Sequence, residues 1–257
     1  MEAVKKTIAH LTTSLNRAPP CLVAVSKLQP VSAILSAYES GCRHFGENYV
    51  QELLDKAPQC PPDICWHFIG QLQSNKAKAL VAGVPNLWAV ESVDSVKLAQ
   101  LLEKAAAGRG KDSGGGGPGG GGGGSSSSGN VSDSGGALQP LRVFVQVNTS
   151  GEEQKGGVGP GEAAALALFI KEQCPHLRVQ GLMTIGKLGE VASVYFERLA
   201  SEREAVAASL GVEPSNLELS MGMSGDFEMA ISLGSTSVRV GSAIFGERPA
   251  ALKDQRV

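Results

Sequence analysis

Residues 22–47 read LVAVSKLQPVSAILSAYESGCRHFGE. A short β-branched run (22–26) leads into a helix-patterned stretch (31–40), and a second short run (43–47) follows. This is one strand–helix–strand unit, and its two strands lie parallel because the helix carries the chain back to the starting edge. The unit recurs along the chain. Further strand-like runs lie at 65–69 (CWHFI), 87–91 (LWAVE), 142–147 (RVFVQV), 179–185 (VQGLMTI), 217–221 (LELSM) and 237–241 (SVRVG). Helix-like stretches separate them at 48–57, 73–82, 94–107, 161–173, 190–210 and 225–233. Leu98, Leu101, Leu102 and Ala105 share one helical face in the fourth of these connections. Ahead of the first unit, Val4, Ile8, Leu11 and Leu15 pattern residues 2–18 as an amphipathic helix that Pro19-Pro20 stops. Eight strands alternating with helices predict an α/β protein, a (β/α)8 TIM barrel with an extra N-terminal helix. A doubly wound open sheet fits less well, because no G-x-G-x-x-G follows the first strand.

One segment departs from this pattern. Residues 108–137 (GRGKDSGGGGPGGGGGGSSSSGNVSDSGGA) hold fifteen of the 33 glycines and almost no apolar side chain. Such a stretch cannot bury enough surface to offset the entropy of ordering it, so the reading is a disordered loop inside a single domain spanning 1–257. It falls between strands four and five, in a connection on the face opposite a barrel's active site. Lengthening a loop there costs little.

Composition excludes several classes. Lys and Arg number 23 against 25 Asp and Glu, a net charge of -2, too balanced for a general nucleic-acid binder. No apolar run approaches the roughly 18 residues of a membrane span. No secretory signal opens the chain, and the N-terminal helix carries Glu2 and a single arginine, unlike a transit peptide. The five cysteines are odd in number and contain no C-x-x-C, which places the chain in the cytoplasm with reduced thiols. Histidines 10, 44, 67 and 176 show no paired ligand spacing, so the sequence gives a metal site no support.

In a (β/α)8 barrel the active site gathers at the C-terminal ends of the strands. Lys27 leaves strand one there, after Leu22-Val-Ala-Val25. A lysine partly desolvated at the mouth can attack a carbonyl and form a Schiff base; the alternative is a lysine simply leaving a strand for water. Small-residue turns follow strand seven (Ser220-Met-Gly-Met-Ser224) and strand eight (Gly241-Ser242). That is where barrels build phosphate sites, with backbone N–H groups of Gly241 and Ser242 and the Ser220 hydroxyl as donors, although chain reversal alone also explains such turns. Arg239 adds a permanently protonated donor on strand eight. Lysine, phosphate cradle and arginine together suit pyridoxal 5'-phosphate (PLP), with its aldehyde at Lys27 and its ring nitrogen at Arg239. An arginine there leaves the ring nitrogen unprotonated and weakens the cofactor as an electron sink.

The residues then resemble a known family. Leu22–Lys27, Phe45-Gly-Glu-Asn-Tyr-Val-Gln-Glu52, Trp66-His-Phe-Ile-Gly70, Val147-Asn-Thr-Ser-Gly-Glu-Glu153, Gly181-Leu-Met-Thr-Ile185, and Ser220–Ser224 continuing to Gly246 resemble, in order, the pyridoxal phosphate homeostasis protein family. These proteins are single-domain relatives of the alanine-racemase barrels. The resemblance implies PLP held as a Schiff base on Lys27, with Asn48 by the ring and Met183 lining the pocket. It further implies Ser220, Gly241 and Ser242 on the phosphate and Arg239 on the ring nitrogen. It implies a carrier in vitamin B6 homeostasis with no established catalytic activity, PLP-dependent apo-enzymes as recipients, and a monomer. The glycine insert replaces a short family connection, and the loop after Ile185 (Gly186–Gly189) is shorter than is common.

Two rival functions have specific expectations. A racemase needs a second base that relatives take from an additional domain, and this chain ends about ten residues after strand eight, so turnover is not expected. A class I aldolase would use Lys27 on its own substrate, without a bound chromophore. His67, between Trp66 and Phe68, reads as a packed core histidine, and Glu47 and Glu91 as partners of basic groups or helix caps.

Overall fold

The computed structural model describes residues 1–109, 139–152, 155–186 and 193–246. Helix α1 (Glu2–Ser14) is followed by strands β1 (Cys21–Val25), β2 (His44–Glu47), β3 (Cys65–Phe68), β4 (Leu87–Val93), β5 (Leu141–Gln146), β6 (Leu177–Met183), β7 (Glu218–Ser220) and β8 (Ser237–Val240). Each pairs in parallel with the next, and β1 pairs with β8 to close the barrel. Helices α2 (Val31–Glu39), α3 (Val50–Lys56), α4 (Ala77–Gly83), α5 (Val96–Ala107), α6 (Ala163–Gln173), α7 (Ser193–Leu210) and α8 (Phe227–Ser232) fill the connections. A single helical turn, α9 (Ser242–Phe245), follows β8 where the sequence suggests only a turn. The expected (β/α)8 barrel with its N-terminal helix is the observed fold. Residues 110–137 of the glycine-rich segment, with Leu138, lie outside the described residues, and β4 pairs with β5 across that segment.

Helix α1 ends earlier than its sequence pattern suggests. Asn16 adopts the left-handed conformation (φ 50). The Arg17 N–H bonds the Thr12 carbonyl (3.0 Å) and the Asn16 N–H bonds that of Thr13 (3.2 Å). This is a Schellman stop with asparagine in the usual glycine place, and it acts before Pro19 is reached. The helix then lays Val4 and Ile8 against Phe227, Ile231, Val238 and Val240, covering the outer side of β8.

The core has two unlike parts. Between strands and helices, Ala24, Phe45, Trp66, Phe68, Val90, Val143 and Leu182 pack with Ile34, Leu53, Leu80, Leu102, Ile170 and Leu199, all buried. Each such side chain contributes about 1.5–3 kcal/mol. Inside the barrel the only buried apolar cluster among the described residues is Ala89, Phe144 and Met183, flanked by Trp88. Much of the rest of the interior is polar: Glu91 on β4 reaches Ser220 on β7 (2.5 Å), a contact possible only across the barrel.

Candidate functional site

The turn after β1 is built to hold Lys27. The Gln29 N–H bonds the Ser26 carbonyl (3.0 Å), closing a turn around Lys27 and Leu28. Leu28 is left-handed (φ 61), a conformation that costs a branched residue about 1–3 kcal/mol and persists only where its surroundings impose it. Here they do. The Leu28 N–H donates to Glu52 Oε1 (2.5 Å), and the Ser26 hydroxyl donates to Glu47 Oε1 (2.7 Å). Lys56 Nζ ties the set together, donating to the Ser26 carbonyl (2.8 Å), Glu47 (2.8 Å) and Glu52 (2.5 Å). Lys27 itself is half-buried.

Glu47, Glu52 and Lys56 are absent from the sequence-derived site, although Glu52 and Lys56 stand four residues apart on one helix. That spacing signals a pair but not its target. Burial pushes the Glu47 carboxyl up to about 7 despite Lys56 nearby, with Glu52 adding to the rise. The folded protein therefore holds a proton that the unfolded chain releases near the ordinary carboxylate value. Stability is expected to fall as pH rises from about 4.5 to about 7 and to level off above that. Glu47→Gln should flatten this slope in urea melts at pH 5 and pH 8; an unchanged slope would assign the proton elsewhere.

Arg239 is the centre of the barrel interior. Its Nη1 donates to Ser220 Oγ (2.5 Å) and its Nη2 to the Thr184 carbonyl (2.7 Å). The Ser220 hydroxyl donates onward to Glu91 Oε2 (2.5 Å), and Glu91 Oε1 lies 2.6 Å from His67 Nδ1. Burial pushes Glu91 up, and the hydrogen bond and charge of His67, the Arg239 charge and Ser220 outweigh it, holding the carboxyl below its usual range. Glu91 and His67 thus fix Arg239 through Ser220. Both glutamates pair with basic groups, and His67 is a packed, hydrogen-bonded core residue, as expected.

The other sequence-derived residues fall around the same end. Five consecutive strands carry them: Met183 ends β6, Ser220 ends β7, Arg239 lies in β8, Lys27 follows β1 and Asn48 follows β2. Register sets Val23 of β1 beside Arg239, and a side-chain carbon at Gly241 would lie 3.4 Å from the Val25 carbonyl. The β8 turn therefore rests on the strand end that presents Lys27. Two backbone N–H groups, of Gly241 (3.1 Å) and Ala243 (3.4 Å), converge on the Ser224 hydroxyl oxygen. Both amides are spent on Ser224 here, and a bound anion would take its place as their acceptor; Ser224 is a residue that sequence reasoning missed. Ser242 is exposed beside it, whereas Ser220 is fully buried with its hydroxyl engaged by Glu91 and Arg239. Asn48 Oδ1 is buried without a hydrogen-bond partner. Gly70 packs on the Asn48 backbone so closely that a side-chain carbon there would overlap its carbonyl oxygen. An orphaned polar atom, a pair of converging amides, an arginine on β8 and a lysine in the turn of the neighbouring β1 fit a phosphorylated aldehyde with a heteroaromatic ring. The loop from 187 onward lies outside the described residues.

Comparison with known proteins gives the chain its relatives. The family described as alanine racemase, N-terminal domain, matches residues 1–249. The pyridoxal phosphate homeostasis protein of Bos taurus is 44% identical over 265 residues, covering 99% of this chain and 87% of that one. The protein of the same name from Schizosaccharomyces pombe is 42% identical over 246 residues, covering 94% and 90%. Among solved structures, PipY of Synechococcus elongatus with PLP bound is 32% identical at a TM-score of 0.65, covering 93% of this chain and all of that one. Alanine racemase of Corynebacterium glutamicum shares the fold at a TM-score of 0.57 and 17% identity, covering 96% of this chain and 62% of that one. On these likenesses, and with the barrel and its lysine turn in place, the chain belongs to the pyridoxal phosphate homeostasis protein family.

Proposed function

We propose that this protein binds PLP and serves intracellular vitamin B6 homeostasis, holding the cofactor for delivery to PLP-dependent apo-enzymes without turning over a substrate. The observation that carries the reading is the strained, four-point-clamped turn that presents Lys27 beside the Gly241–Ala243 cradle. When bound, PLP supplies an aldehyde that bonds covalently to amines and a ring that can accept electrons. The chain's own residues do the rest. Lys27 would supply the amine that meets the aldehyde. Asn48 lies by the ring with its free Oδ1, and Met183 closes the inner wall. Gly241 and Ser242 would hold the phosphate at the β8 turn, whereas Ser220, its hydroxyl given to Glu91, steadies Arg239 rather than reaching the phosphate. Arg239, cationic beside Glu91 (3.9 Å), would donate to the ring nitrogen and so keep a proton off it. An unprotonated ring is a weaker electron sink than a protonated one. We place the protein in the cytoplasm as a single-domain monomer; no helix among the described residues is long and apolar enough to cross a membrane.

The test is the absorption spectrum of the purified protein, as isolated and after incubation with PLP. A yellow protein that bleaches with borohydride, with the added mass on the peptide containing Lys27, is the expected result. A protein that stays colourless with excess PLP would overturn the reading.

A further inference from the structure

The end of the barrel opposite Lys27 holds a second group of chemically capable side chains. Cys21 and His44 open β1 and β2, and His67 lies within β3. One donor atom from each lies within 4.8 Å of those of the other two. His44 Nδ1 and His67 Nε2 are 2.9 Å apart, and His67 Nδ1 is 2.6 Å from Glu91. We propose that Cys21 Sγ, His44 Nδ1 and His67 Nε2 form a binding site for a borderline-soft divalent transition-metal cation, Zn2+ above all, with Glu91 orienting His67.

The donor set fits that class of ion and no harder one. One thiolate and two imidazoles suit zinc, while Mg2+ and Ca2+ require oxygen ligands. The second shell is also built. A metal-bound histidine usually donates its other ring N–H to a carboxylate, and the Glu91 carboxylate accepts from His67 Nδ1. This leaves His67 Nε2 facing His44 and Cys21. Tetrahedral ligands at zinc distances of about 2.0–2.3 Å sit roughly 3.3–3.5 Å from one another. The two nitrogens need separate by only a few tenths of an ångström, and the sulfur draws in from within 4.8 Å.

The protonation states are ready for the exchange. Burial first, with repulsion from His67 and Arg142, pulls His44 down to about 4 against the opposing pull of Glu91, so its ring is neutral at pH 7. Metal binding moves its proton from Nδ1 to Nε2. Burial, with Glu218 and Glu91 adding to it, pushes the Cys21 thiol up to about 12, so cation binding must displace that proton to solvent. Among the described charges, Glu91 and Glu218 favour the cation and Arg142 opposes it. Cys21 and His44 are half-buried, which leaves an approach from outside the barrel. Trp88 stands edge-on to His44 at 5.4 Å between ring centroids and closes the side toward β4.

The experiment is calorimetric titration of the untagged, chelator-treated full chain with Zn2+ in two buffers of different ionisation enthalpy. One Zn2+ per chain is expected, with a dissociation constant of about 1 μM or below and at least one proton released. Cys21→Ser and His44→Gln should each weaken binding at least tenfold, while Cys65→Ser, outside the donor set, keeps it. Co2+ should give a sulfur-to-cobalt absorption band in the wild type that Cys21→Ser lacks. The far-ultraviolet circular dichroism of each variant reports its fold, and His44→Gln decides alone if Cys21→Ser unfolds. Absence of Zn2+ binding, or binding that both substitutions leave unchanged, would overturn the proposal. Neither result bears on PLP at the other end.

Discussion

Lys27→Ala is expected to abolish covalent retention of PLP and leave the barrel folded. The lysine is the one nucleophile placed in the clamped turn after β1, and its amine is the group that the aldehyde needs. The hydrogen bonds that shape the turn run through its neighbours. Ser26 is held by Lys56 and Glu47 and Leu28 by Glu52, all through atoms that the substitution keeps. Truncating a half-buried side chain there should change stability by about 1 kcal/mol or less. Residual affinity would come from the non-covalent contacts, chiefly the Gly241–Ser242 turn and Arg239. Loss of the covalent bond should weaken retention on the order of 100-fold, about 2.7 kcal/mol. Lys27→Arg should behave like Lys27→Ala, because a guanidinium keeps the charge but is no nucleophile at neutral pH. The readout is PLP remaining after gel filtration, with and without borohydride. Retention at the wild-type level by Lys27→Ala would mean that the cofactor is carried elsewhere.

Glu91→Ala should be the most destabilising single change in the barrel interior, by about 3–5 kcal/mol. Glu91 is fully buried and is the anion that faces Arg239 (3.9 Å), whose side chain is 4% exposed. Removing it strands that guanidinium with only Ser220 Oγ and the Thr184 carbonyl as acceptors and leaves His67 Nδ1 without its partner. For a chain of this size that loss corresponds to a melting temperature lower by about 6–20 °C. Glu91→Gln keeps the shape and one acceptor oxygen and should cost less. The pH dependence separates this effect from simple cavity formation. Because the folded Glu91 carboxyl lies below its ordinary value, its stabilisation is present above that value and is lost as pH falls through and below it. Glu91→Ala should remove that acid-side loss, opposite in sign to the loss that Glu47 produces on going from acid to neutral pH. Urea unfolding at pH 4 and pH 7 measures both; a cost under about 1 kcal/mol at pH 7 would show that Arg239 does not depend on Glu91.

The elements of the fold were legible because each depends on a local pattern. Eight short β-branched runs spaced by helical stretches leave one economical closure, and the observed strands begin and end within two residues of those runs. The strand-end positions of Lys27, Asn48, Met183 and Gly241 and the place of Arg239 on β8 were legible because each follows from the strand order, while the roles of Asn48 and Met183 come only from the family resemblance. Where a helix stops was less so: Asn16, rather than the conspicuous Pro19-Pro20, ends α1.

What the sequence by itself determined, then, is the order of strands and helices, the barrel they form and the end at which Lys27 emerges. The tertiary structure alone decided who meets whom inside. Glu91 and Ser220 are 129 residues apart and are joined by a hydrogen bond across the barrel. His44 and His67 are 23 residues apart, a full strand–helix unit, and no short-range ligand pattern reveals them. The reason is geometric. Local periodicity reports which face of a strand points inward, but only closure of the sheet turns eight inward faces toward one axis and sets which polar groups there share a hydrogen bond.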